Sequence, residues 1–97
     1  MSLNNARFNL FVDEVINRLV DVSIAVKSGD TFTRNGQSQY LQGLIWGAQL
    51  GGMITSHQWE SLSNLILVIT YPENGEPVKV SLIGGIVESV LPEQLEK

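Results

Sequence analysis

Residues 39–67, QYLQGLIWGAQLGGMITSHQWESLSNLIL, hold the signal from which the fold is read, with two apolar-rich stretches meeting at Gly51-Gly52-Met53-Ile54-Thr55. Thr55 precedes Gln58 by three residues, the spacing of a capping box. There the threonine hydroxyl accepts from the backbone N–H of the glutamine, and the glutamine side chain accepts from the N–H of the threonine, so two orphan donors of the helix start are satisfied together. Ile54 and Trp59 flank the cap at the two positions of a hydrophobic staple. On the other side of the turn, Gly51 or Gly52 can take the left-handed conformation that stops a helix without a Cβ penalty. These signals predict an antiparallel helical hairpin, with helices over about 38–51 and 55–69.

The first helix of that hairpin carries Gly43, Gly47 and Gly51 at every fourth position, along one side where another backbone could approach closely. Each glycine costs about 1 kcal/mol of helix stability relative to alanine, so the series predicts compensation from packing. Tyr40, Leu41, Leu44, Ile45, Trp46, Ala48 and Leu50 surround the glycines, and Gln39, Gln42 and Gln49 leave only a narrow polar edge. A helix this apolar around its circumference is normally buried. Two placements follow: a central helix packed within its own domain, or a helix whose glycine side and Trp46–Leu50 side form an interface with a second chain. The candidate interface comprises Tyr40, Gly43, Trp46, Gly47, Leu50, Gly51, Met53 and Trp59, among which Tyr, Trp and Met are types enriched at protein interfaces.

Upstream, Phe8, Val12, Val15, Leu19, Val22 and Val26 alternate spacings of four and three and share one seam of a helix over about 5–27. Glu14 and Arg18 stand four apart in the favourable order on its polar side, and Lys27 suits the negative helix end before Ser28-Gly29. The β-branched run from Val20 to Val26 is the competing strand signal. Between this helix and the hairpin, Asp30, Thr31, Thr33, Asn35 and Gly36 read as an irregular connection to Ser38, with Phe32 folding back on the core and Arg34 solvated. Downstream, Trp59, Leu62, Leu65, Ile66 and Ile69 repeat at helical spacing until Pro72. Beyond it, residues 77–91 suit a short extended segment or hairpin: Val78, Val80 and Leu82 alternate with Lys79 and Ser81, and Asn74-Gly75 has type I′ composition. Ile86–Leu91 could instead form a short helix, and 93–97 a frayed tail.

The fold expected is therefore mainly α, a single small domain over 1–97: an amphipathic N-terminal helix packed on an antiparallel helical hairpin, with a short C-terminal extended segment or hairpin. An α+β arrangement is the alternative.

Composition narrows function by exclusion. The net charge is −4, and six Lys and Arg are scattered with no basic cluster, so the electrostatic footprint of nucleic-acid binding is missing. No cysteine exists to form a disulfide or a thiolate zinc site, and His57 has no second histidine nearby, so no metal ligand set is expected. Asp13 and Glu14 are adjacent and point about 100° apart on a helix, which precludes a proton-sharing pair. Glu73 and Glu76 are too few for a calcium site. Hydrolase, zinc-protease and phosphate-loop motifs do not occur, and no cofactor or catalytic residue is expected. Asn35–Trp59 lacks Asp, Glu, Lys and Arg, but glutamines, paired glycines and the capping box interrupt it short of the ~18 apolar residues of a membrane span. The start lacks a signal-peptide pattern, so a cytoplasmic location is the expectation.

A low charged fraction of 16% beside 43% apolar residues leaves a small domain with much apolar surface to cover, which favours oligomers. The function expected is that of a small non-catalytic protein acting through protein–protein contact, an adaptor, inhibitor or regulator that forms a homodimer. A small-molecule-binding module or small enzyme with a pocket between helices is the alternative, and a purely structural homo-oligomer a third. An interaction protein keeps apolar aromatics exposed on one face, whereas a ligand-binding module has a concave pocket with convergent polar groups.

Overall fold

The computed structural model describes residues 3–74, 79–82 and 85–88, with side-chain surroundings described over 6–73. Three helices, α1 (Leu3–Ser28), α2 (Thr31–Leu50) and α3 (Ser56–Thr70), run up, down and up. A one-turn 3-10 helix, Pro72–Asn74, follows. Strands β1 (Lys79–Leu82) and β2 (Gly85–Glu88) pair antiparallel, with Val80 opposite Val87.

Both interhelical turns are built from the same physical parts. At the end of α1, Gly29 stands at φ +76°, its N–H donates to the Val26 carbonyl (3.3 Å), and the Asp30 N–H donates to the Ala25 carbonyl (2.9 Å). At the end of α2, Gly52 stands at φ +79°, its N–H donates to Gln49 (3.1 Å), and the Met53 N–H donates to Ala48 (2.9 Å). Each is the paired bond pattern that closes a helix through a left-handed glycine and satisfies carbonyls otherwise left open. Gly52 takes the left-handed position, while Gly51 keeps φ −80°. The capping box at Thr55 is formed in both directions, with Gln58 N–H donating to Thr55 Oγ1 (3.0 Å) and Thr55 N–H donating to Gln58 Oε1 (2.9 Å).

The N-terminal seam faces inward as expected. Val15 and Val22 are fully buried, Val12 and Leu19 nearly so, and Phe8 and Val26 pack on the same core. The β-branched run 20–26 is helical, because Val22 and Val26 sit on the seam and burial outweighs their few tenths of a kcal/mol of propensity. Leu41 and Ile45 enter from α2, and Leu62, Leu65, Ile66 and Ile69 enter from α3. Ile54 and Trp59 join this cluster, Ile54 buried and Trp59 partly so, as the staple requires.

The expected connection before the second helix is corrected. The second helix begins at Thr31 rather than near residue 38. Asp30 is its N-cap, accepting from the Thr33 N–H (3.1 Å), so the connection from α1 is only Gly29-Asp30. The low-propensity residues Thr31, Thr33, Asn35 and Gly36 are held helical by that cap and by contacts further in. Arg18 Nη1 donates to Gln37 Oε1 (3.3 Å), and the buried Thr70 hydroxyl stands 3.0 Å from Ser38 Oγ. Phe32 consequently points to solvent, 90% exposed, while Arg34 is half-buried, its guanidinium 5.2 Å from the Tyr71 ring centroid.

In the C-terminal third the expected hairpin is present among the described residues. Residues 67–70 remain in α3, which ends at Thr70 close to the expected residue 69, and β1 pairs with β2 inside the expected 77–91 segment. Residues 86–88 belong to β2 rather than to the alternative short helix over 86–91, of which 89–91 lie outside the described residues, as does the tail 93–97.

Candidate functional site

The side of α2 turned away from the core forms the candidate site. Only Leu41 and Ile45 of this helix are fully buried. Of the two placements open for this helix, complete packing within the chain is not observed: the bundle buries one strip of α2 and leaves the opposite face exposed. A Cβ built at Gly43 or at Gly47 would meet nothing within 4 Å, so neither glycine accommodates a neighbouring helix of its own chain. Gly51 differs, since a Cβ there would stand 3.4 Å from the Gly47 carbonyl oxygen, and its place is the helix end.

Large apolar side chains stand on either side of this glycine row. Trp46 is 48% exposed and Leu50 66% exposed on one flank, with Tyr40 at 46% on the other. Trp46 rests edge-on against Trp59, their ring centroids 5.3 Å apart at 63°, a favourable quadrupolar arrangement. Trp59 is partly buried, so the pair connects the exposed face to the core. Toward the turn, α1 and α2 diverge into a shallow apolar groove of about 490 Å³, lined by Arg7, Leu10, Phe11, Gly43, Leu44, Gly47, Ala48 and Met53. Met53 enters it because the glycine turn brings it back over Ala48. Of the eight candidate interface residues, the structure thus places Tyr40, Gly43, Trp46, Gly47, Leu50 and Met53 on one continuous open surface. Gly51 serves the turn, and Trp59 supports Trp46 from beneath. Leu10, from α1, belongs to the groove; its place opposite the α1 seam gave no sequence signal for that role.

A polar clasp orients Tyr40 at the upper end of this face. Its hydroxyl donates to Glu14 Oε2 (2.7 Å), and the same carboxylate oxygen lies 3.4 Å from Arg18 Nε. The Arg18 guanidinium also sits 4.9 Å from the centroid of the Tyr40 ring. The Tyr40 hydrogen bond holds the Glu14 carboxyl below its ordinary value, against a smaller desolvation effect and with help from the Arg18 charge. Reciprocally, Glu14 raises the Tyr40 hydroxyl. This carboxylate is engaged with neighbours on α1 and α2, and it is not poised for proton transfer.

His57 is exposed at the start of α3. No grouping of three or more His, Asp or Glu able to hold a metal ion occurs among the described residues. None of the helices among them is long and apolar enough to cross a membrane. By fold the described residues form a three-helix up-down-up bundle whose α2 helix leaves an apolar face exposed. Compared with known protein families, characterised proteins and solved structures, it matches none.

Proposed function

We propose that this chain is a non-catalytic cytoplasmic protein that acts by binding other protein surfaces, as an adaptor, inhibitor or regulator, and that the outer face of α2 is its docking surface. One observation carries the reading: Tyr40, Trp46 and Leu50 stand exposed around Gly43 and Gly47 on a face to which α2 itself contributes no charged side chain between residues 35 and 50. Exposed aromatics beside an accessible helix backbone supply the anchors and the close approach on which interface energy concentrates. The groove beside them favours this reading over a small-molecule pocket. Its lining is apolar apart from Arg7, so it lacks the convergent polar groups that orient a small ligand.

The test compares two baits, the wild-type chain and Leu50→Glu, in affinity capture from cells of origin at physiological salt. Leu50 is exposed and outside the core, so the substitution leaves the bundle folded while placing a charge on the flank of the face beside Trp46. A stoichiometric protein held by the wild type and lost from Leu50→Glu is the expected result. Equal recovery on both baits removes this face as the docking surface.

A further inference from the structure

We infer that the resting occupant of the α2 face is a second copy of this chain, packed α2 against α2′ about a two-fold axis near Gly43 and Gly47; this rests on the reading of that face as a docking surface. The row Gly43–Gly47–Gly51 is a groove at i±4 spacing. It is bounded by one ridge, Trp46–Leu50, and by another, Tyr40–Leu44–Ala48. Ridge-into-groove packing of two such rows gives a crossing near −50°. A two-fold contact requires one patch to carry both the knob and its hole. This face does so, with Trp46 and Leu50 of one copy seated over the glycines and against the Leu10–Met53 side of the other.

Area and charge agree with that occupant. Leu10, Tyr40, Trp46, Leu50 and Met53, at exposures of 69, 46, 48, 66 and 36%, leave about 500 Å² uncovered if each residue surface is roughly 200 Å². The open backbone of Gly43 and Gly47 and the half-buried Leu44 and Ala48 extend the patch toward the ~600 Å² per partner of the smaller specific interfaces. Each copy carries a net charge of −4, yet no Asp or Glu lies between Asn35 and Trp59. Glu14, at the Tyr40 end of the face, is paired with Arg18, so two copies meet with little like-charge repulsion. A heterologous protein using the same face competes with the second copy, so self-association limits its access.

Light scattering after size exclusion, at up to ~200 µM chain, decides the matter. The wild type is expected at twice the 10.7 kDa of one chain. Gly47→Leu and Leu50→Glu are each expected at the mass of one chain with the helical circular dichroism retained. Gly47→Leu is informative because a side chain there meets open space in the single chain and obstructs only a close crossing. Should Gly47→Leu misfold, Leu50→Glu decides alone. A wild type at the mass of one chain, or a dimer that survives Leu50→Glu, overturns the inference. A monomeric wild type that still captures a protein through Leu50 removes the second copy and leaves the proposed function standing. A Leu50-dependent dimer that captures no other protein does the reverse.

Discussion

Trp59→Ala, made in the Leu50→Glu background so that association does not contribute, is expected to destabilise the bundle by about 2.5–3.5 kcal/mol. Removing a fully buried aromatic costs roughly 3–5 kcal/mol. Trp59 is only partly buried, packed on the core from the first turn of α3, so about half of that applies. Its edge-to-face contact with Trp46, centroids 5.3 Å apart, adds about 1 kcal/mol. In a domain of this length each kcal/mol lowers Tm by roughly 4–8 °C, which puts the shift above about 10 °C. Urea denaturation followed by far-ultraviolet circular dichroism measures it, and Trp46→Ala with the double variant completes a cycle. The two rings should couple by about 1 kcal/mol. A loss within ~0.5 kcal/mol for Trp59→Ala, the range of uninvolved surface sites, would refute the burial. Strict additivity would refute the ring contact and with it the support of Trp46 from beneath.

Thr55→Ala should cost about 1 kcal/mol by freeing the Gln58 N–H, and Gln58→Ala in the same chain should add less than it does alone, since the two bonds define one capping box; thermal melts of the three variants check this. Tyr40→Phe should bring the Glu14 carboxyl back toward the ordinary 4.5, read by carbon NMR titration. Because the folded-state value is depressed, the stability contributed by Glu14 is present above the unfolded value and lost as pH falls through the folded one, so the two proteins should differ at neutral pH and converge in acid. Gly43→Ala and Gly47→Ala should each stabilise the single chain by up to ~1 kcal/mol in the Leu50→Glu background, since a Cβ there meets nothing within 4 Å. In the otherwise wild-type chain the same substitutions should reduce the dependence of Tm on protein concentration, which accompanies a dimer held by this face.

The parts of the fold legible in the sequence were those fixed by local chemistry. The Thr55–Gln58 box specifies its own hydrogen bonds, and the Phe8–Val26 seam specifies its own face, so both appear where spacing put them. The start of α2 was misplaced because Thr31, Thr33, Asn35 and Gly36 are poor helix formers. What overrides them is the Asp30 cap together with contacts from distant positions, Arg18 to Gln37 and Thr70 to Ser38, which no local window contains. Asp30 did offer a signal, as an N-cap residue directly after a glycine stop. Leu67–Thr70 suits a strand by composition, but Ile66 and Ile69 sit on the buried side of α3 and keep the segment helical to Thr70, as their spacing predicts. For the candidate site, the residue types were legible from the chain, whereas their exposure was not. An apolar helix reads alike whether its own bundle or a second chain covers it.

That ambiguity is resolved by asking what the glycines do in the single chain. A glycine in a helix interior lowers stability by up to ~1 kcal/mol, and a bundle offsets this only where the missing side chain lets another element come close. At Gly51 the Gly47 carbonyl stands in the way of a Cβ, and the paired glycines serve the turn. At Gly43 and Gly47 nothing stands near, so within one chain the two positions weaken α2 without improving its packing. The exposed Trp46 and Leu50 beside them carry a second unfavourable term of the same kind, since apolar surface is left in water. One event offsets both, the arrival of a helix backbone over the glycines that covers the flanking side chains. The two features are costly separately and complementary together, which is the physical ground for proposing the outer face of α2 as half of a contact.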